Sequence, residues 1–129
     1  MKKTYWIIIV IIVIVLFFMI FRFGGEDSWI KNEKGIYVKH GNPSSMPENV
    51  AEQNAAISCA RSLYMNARNN MMDFSSQCLG RCMDYAIDIV HVPRSDEDNL
   101  AENQCSDFRE GRVSKFIELN QNGEVVRVG

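Results

Sequence analysis

Hydrophobic positions follow a different rhythm in each part of the chain, and each rhythm predicts an element. From Ile7 to Phe21 the run is unbroken, IIIVIIVIVLFFMIF, with Tyr5 and Trp6 ahead of it and Lys2 and Lys3 ahead of those. A helix over Tyr5 to Phe21 would span about 25 Å, slightly short of a hydrocarbon core of about 30 Å. Snorkelling by Lys3 and Arg22 or local thinning absorbs the difference. Residues 5–23 therefore read as a transmembrane signal-anchor. A cleaved secretory signal is the competing reading. Against it, the run exceeds the usual apolar region of such signals, and Phe21 to Gly25 offer no small-residue cleavage site. No Gly-x-x-x-Gly face or embedded charge suits the run for helix pairing or transport.

Beyond the anchor, Trp29 to Lys31 and Ile36 to Lys39 flank the turn Asn32-Glu33-Lys34-Gly35, which predicts a short hairpin. His40 to Pro47 reads as an irregular linker. From about Pro47 or Glu48 to about Met72 the apolar residues Val50, Ile57, Ala60, Tyr64, Ala67 and Met71 recur on one helical stripe. Asp73 to Gly80 reads as a turn. Tyr85 to Val92 is apolar on both faces except for Asp88 and His91, the mark of a central strand, and Pro93 ends it. Arg94 to Gln104 is polar and acidic, a surface loop with a helical turn around Asn99 to Gln104. Val113 to Leu119 and Glu124 to Val128, joined near Asn122-Gly123, predict a terminal hairpin.

These elements predict an α+β protein: an N-terminal transmembrane helix, then a small domain with one long helix packed on a short antiparallel sheet. The division is a cytoplasmic tail over 1–4, the anchor over 5–23, an exit linker and aromatic hairpin over 24–46, and an extracytoplasmic α+β domain over 47–129.

About 105 residues follow the anchor, enough for one domain with a small core. The formal net charge is −2 and the basic residues are scattered among acids, which argues against nucleic acid as a partner. Lys2, Lys3 and the α-amino group nearly balance Arg22, Lys31, Lys34 and Lys39, so charge alone leaves sidedness open. Four cysteines in so short a chain favour an oxidising compartment, with the N-terminus inside and the domain outside the cell membrane.

Cys59, Cys78, Cys82 and Cys105 read as disulfide cysteines. Cys78 with Cys82 is the least favoured pair, because three residues would have to fold both sulfurs together. Either Cys59 pairs with one of these two and Cys105 with the other, or a cysteine is free. Zinc on Cys78, Cys82, His91 and Cys105 is chemically adequate, but no C-x-x-C pair is present. A thiol nucleophile at Cys78 or Cys82 with His91 and Asp88 can also be written. Asp88 and His91, three apart on a strand, point to opposite faces. The plain readings are a satisfied histidine at a strand end and a carboxylate binding backbone donors or Arg94. Tyr64, Tyr85, Phe108 and Phe116 read as core aromatics. Trp29, Tyr37, His91 and Arg94 form the candidate binding surface.

Two stretches carry a resemblance: WIKNEKGIYVKHGNPSSMP from Trp29 to Pro47, and Asp84 to Val128 with its pieces DIVHVPR, ENQC, FREG and FIEL in order. They resemble a group of short membrane-tethered or lipoprotein-type proteins, found chiefly in small-genome archaea and candidate-phylum bacteria, for which no activity is established. Relatives often carry a cysteine near Lys31 and a tryptophan near Tyr37, and some a histidine near Lys115. This chain lacks all three. The resemblance implies an anchored extracytoplasmic domain.

The resulting expectation is a single-pass binding or envelope-associated module. Its partners are the lipid bilayer through residues 5–23 and an envelope or membrane protein, and no cofactor, metal or catalytic residue is assigned. The alternative is a thiol-dependent or metal-assisted hydrolase using Cys78 or Cys82 with His91.

Overall fold

The computed structural model describes residues 2–23 and 27–129, with the backbone alone at positions 2 and 20–23. Gly24 to Glu26 of the expected exit linker, and the expected snorkelling side chain of Arg22, lie outside the described residues.

The apolar run is helical: α1 spans Lys2–Phe23. At about 1.5 Å per residue its length is about 33 Å. Its large apolar side chains from Tyr5 to Met19 are all at least 49% exposed, so the apolar surface runs all the way round it. Described side chains cover positions 3–19, and among the described residues no helix is long and apolar enough to cross a membrane. The expected anchor over 5–23 is thus a helix, without being established as a span.

The expected hairpin forms from β1 (Ser28–Lys31) and β2 (Tyr37–His40), pairing Trp29 with Lys39, Ile30 with Val38 and Lys31 with Tyr37. The Asn32 side chain accepts the Lys34 and Ile36 amides, and Gly35 supplies φ +77°. The long helix α2 runs Glu48–Asn69 and buries Val50, Gln53, Ala56, Ile57, Ala60, Tyr64 and Ala67. Met71 does not belong to the stripe: the helix has ended, and Met71 turns to φ +56° and is 93% exposed.

The main sheet contains β3 (Gln77–Cys82), β4 (Tyr85–Ile89), β5 (Lys115–Leu119) and β6 (Val125–Val128), in that spatial order. Three features correct the sequence expectation. Part of the expected turn over Asp73 to Gly80 is an edge strand, β3. The central strand stops at Ile89, short of Val92. The sheet is mixed, because β4 and β5 pair in parallel while β3–β4 and β5–β6 are antiparallel. A parallel pair demands a crossover. Residues 90–114 provide it, with two 3-10 turns at Asp96–Asn99 and Ala101–Asn103 and the short helix α3 (Ser106–Arg109).

Strand alternation divides the molecule into three layers. Ile87, Ile89, Ile117, Leu119, Val125 and Val128 face α2 and make the main core with Ala56, Ala60 and Tyr64. The intervening residues Ala86, Asp88, Phe116, Glu118 and Arg127 face the crossover, where Cys105 and Val113 close a smaller cluster with Ala86. Tyr64 and Tyr85 are buried as expected, whereas Phe108 is 38% exposed and covers Phe116 edge-on at 5.4 Å.

Each outer layer is fastened to β3 by a disulfide: Cys59–Cys82 from α2 and Cys78–Cys105 from the crossover. Cys78 and Cys82 are four apart, and a regular strand would aim both at one face. A bulge between Cys78 and Gly80 reverses that parity, so Cys82 faces the helix and Cys78 faces the crossover.

Candidate functional site at the crossover

The C-terminal ends of the parallel strands β4 and β5 meet the start of the crossover, and polar groups collect there. Asp98 lies in a 3-10 turn and is 2% exposed. The Ser95 amide donates to Asp98 Oδ2 at 2.8 Å, the side-chain half of a capping box, and the Asp98 amide closes the 3-10 turn on the Ser95 carbonyl at 3.2 Å. The His91 amide donates to the same carboxylate at 3.1 Å, and His91 Nδ1 stands 3.0 Å from Oδ1. Burial pushes the Asp98 carboxyl up, but the Ser95 and His91 donors outweigh it and hold the group at about 2. An ionised carboxylate at this distance favours the tautomer with the proton on Nδ1.

Ser95 Oγ is also 3.0 Å from Nδ1. Serine and aspartate therefore crowd the same ring nitrogen, whereas a nucleophile-base-carboxylate triad needs them on opposite nitrogens. The opposite nitrogen, Nε2, makes no hydrogen bond among the described residues.

A second network lies on the neighbouring strands. Glu118 on β5, 6% exposed, accepts Arg94 Nη1 at 2.8 Å and both Arg127 Nε and Nη2 at 2.9 Å. One buried carboxylate thus holds two guanidiniums, and the carboxyls of Asp88 and Asp98 line the cavity beside them. Asp88 pairs with Glu118 across the ladder and accepts the Cys105 amide at 3.0 Å. Burial first, then the Glu118 charge, push the Asp88 carboxyl up to about 6, against the Cys105 amide and Arg94.

The Arg94–Glu118–Arg127 triad separates two concavities. On the inner side is a cavity of about 80 Å³ reached by Asp88, Asp98 and Gln104. On the outer side a shallow hollow of about 220 Å³ is walled by Val90, Val92 and Val126 and edged by His91, Arg94 and Arg127.

Of the expected binding surface, His91 and Arg94 come together here, but Trp29 and Tyr37 do not join them. Tyr37 lines a hollow with Tyr85 and Lys115 at the opposite ends of β4 and β5, where its hydroxyl accepts Asn49 Nδ2 at 2.9 Å. The Trp29 indole donates to the Ser45 carbonyl at 3.0 Å. All four cysteines are paired, so the thiol nucleophile read at Cys78 or Cys82 is not formed. The same pairing removes the thiolates that zinc would need. The metal-like group found among the described residues, Cys78, Asp88 and Cys105, contains two sulfurs already bonded to each other.

Sequence reasoning missed Asp98, Glu118 and Arg127. Ser95-x-x-Asp98 is a capping-box pattern, which could have flagged Asp98. Glu118 inside FIEL breaks an otherwise apolar strand, a signal of a buried carboxylate awaiting cations.

No protein-family model, curated protein or solved structure matches the chain.

Proposed function

We propose that this chain is a single-pass, membrane-anchored binding module whose domain stands outside the cytosol. In this reading it takes an anionic group of an envelope or membrane-protein partner into the hollow beside His91, Arg94 and Arg127. One observation carries the proposal: an all-round apolar helix leads within a few residues into a domain fastened by two disulfides. Such a helix buries its surface only in lipid or in a larger protein core. The disulfides fit an oxidising compartment.

The anionic preference rests on the Arg94 and Arg127 guanidiniums at the edge of the outer hollow, whose lining holds Glu118 but neither Asp88 nor Asp98, and on apolar walls that would seat the rest of an acidic peptide. Nε2 of His91 adds a group able to accept a hydrogen bond, or to donate one when the ring is charged. Arg127 Nη1, which makes no hydrogen bond among the described residues while Nε and Nη2 hold Glu118, supplies the donor.

Carbonate extraction of membranes, combined with thiol mapping in intact cells, tests the placement. Retention in the pellet with Cys59 and Cys82 unlabelled is expected, and extraction into the supernatant or free thiols at Cys59 and Cys82 would reject it. For the ligand, the side-chain NMR signals of Arg94, Arg127 and His91 should move on titration with an N-acetylated aspartyl peptide. An equal response to a lysyl peptide would reject the anionic preference.

A further inference from the structure

The Asp88 carboxyl and the Cys78–Cys105 disulfide form a cluster that ligand binding in the outer hollow leaves unused. The two disulfides differ in setting. Cys82 is 2% exposed and Cys59 packs against the same core cluster. Cys78 is exposed on the edge strand β3, while its partner Cys105 is 1% exposed. An oxygen of Asp88 lies within 4.8 Å of both Cys78 and Cys105 Sγ, and the hydrogen bond from the Cys105 amide fixes the carboxyl beside the buried sulfur.

Thiol–disulfide exchange needs a reachable sulfur to attack and relief for the charge that develops on the leaving one. Cys78 meets the first requirement. A buried Cys105 thiolate would be poorly solvated, and a carboxylic acid held beside it meets the second.

We infer that Cys78–Cys105 is an exchange site for a protein reductant of the dithiol class, with Asp88 as the proton donor to Cys105. The reductant's thiolate attacks Cys78 Sγ, forming a mixed disulfide as the Cys78–Cys105 bond breaks. The electron pair goes to Cys105 Sγ, which takes the Asp88 proton. The reductant's second thiolate then attacks its own sulfur in the mixed disulfide and releases the Cys78 thiolate. The reductant leaves oxidised to a disulfide, and the chain holds two thiols. The two protons shed by the dithiol balance those gained by Cys78 and, through Asp88, by Cys105.

The charged groups facing Asp88 are Glu118 from β5, Arg94 and Asp98 from the crossover, and Arg127 from β6. Burial and the Glu118 charge hold Asp88 up to about 6, so it retains a proton under mildly acidic conditions. The product would have its crossover released from β3 while Cys59–Cys82 still holds α2.

The test uses the full chain in detergent, dithiothreitol as the dithiol probe, alkylation at timed intervals and peptide mass mapping. Labelling of Cys78 and Cys105 at least about tenfold faster than Cys59 and Cys82 is expected. Opening of Cys59–Cys82 first, or of both together, overturns the assignment from the native chain alone. Asp88→Asn keeps an oxygen acceptor for the Cys105 amide but has no proton to give. At pH 5.5 it should slow opening about tenfold. The rate per dithiol thiolate should fall as pH rises through about 6 in the native chain and stay flat in the variant. An unchanged rate overturns the role of Asp88, as does faster opening at every pH, which is what a merely loosened crossover would give.

Discussion

Replacing Asp98 by asparagine tests whether the crossover is held by charge or only by shape. The native carboxylate is solvent-free and receives the His91 and Ser95 amides together with their side chains. Its folded value of about 2 lies below the ordinary 3.8, so ionisation favours the folded state. That contribution is fully present above 3.8 and is lost as pH falls through about 2. A difference of nearly two pH units corresponds to about 2 kcal/mol at pH 7, and to less than about 1 kcal/mol at pH 2. Asparagine keeps the volume but sets an N–H₂ where a second oxygen accepted donors, so the total loss at pH 7 should reach about 3 kcal/mol. Urea unfolding of native and D98N chains, with disulfides intact, measures this at both pH values. The gap between the two proteins should narrow by about 2 kcal/mol on acidification. A gap that is independent of pH, or below about 1 kcal/mol at pH 7, would refute the charge argument.

Three further outcomes are expected. The double substitution C59A/C82A should cost about 3.5 kcal/mol by denaturant unfolding, since the bridge closes a separation of 23 residues; a loss under 1 kcal/mol would mean that α2 needs no staple. Gly123→Ala should cost about 2 kcal/mol or more in a thermal melt, because φ is +81° and a Cβ there would meet the Tyr64 ring at 2.5 Å; an unchanged melting temperature would contradict the turn. Asp88 carries the opposite pH dependence to Asp98: its raised folded value favours folding fully below 3.8, and the benefit is lost as pH rises through about 6. Asn at 88 should therefore gain stability relative to the native chain between pH 4 and pH 8, by no more than about 3 kcal/mol, and a relative loss over that range would reverse the assignment.

The parts of the fold read correctly from sequence were those in which one physical signal repeats. The α2 stripe, the Asn32–Gly35 hairpin and the Asn122-Gly123 turn each announce themselves through spacing or turn chemistry. β3 was hidden because QCLGRC has no alternating pattern: Leu79 is its one large apolar residue against the core, the other contacts are sulfurs, and the bulge shifts the period midway. The parallel pairing of β4 and β5 was hidden because residues 90–114 look polar, although the crossover covers the sheet through Cys105, Val113 and a buried aspartate. His91 and Arg94 were legible as polar residues at a strand end. Their partners were not, since Glu118 meets Arg94, and brings Arg127 with it, only after the crossover returns the chain to the sheet.

The two disulfides also decide what proteolysis can do to the molecule. Their spans, 59–82 and 78–105, interlock rather than nest or follow one another. A single cut anywhere from residue 59 to residue 105 therefore leaves one covalent molecule, because at least one bridge joins the two sides of every such break. The exposed acidic turns of the crossover can be nicked by a protease without shedding a fragment. The cut would appear as two bands only on a reducing gel.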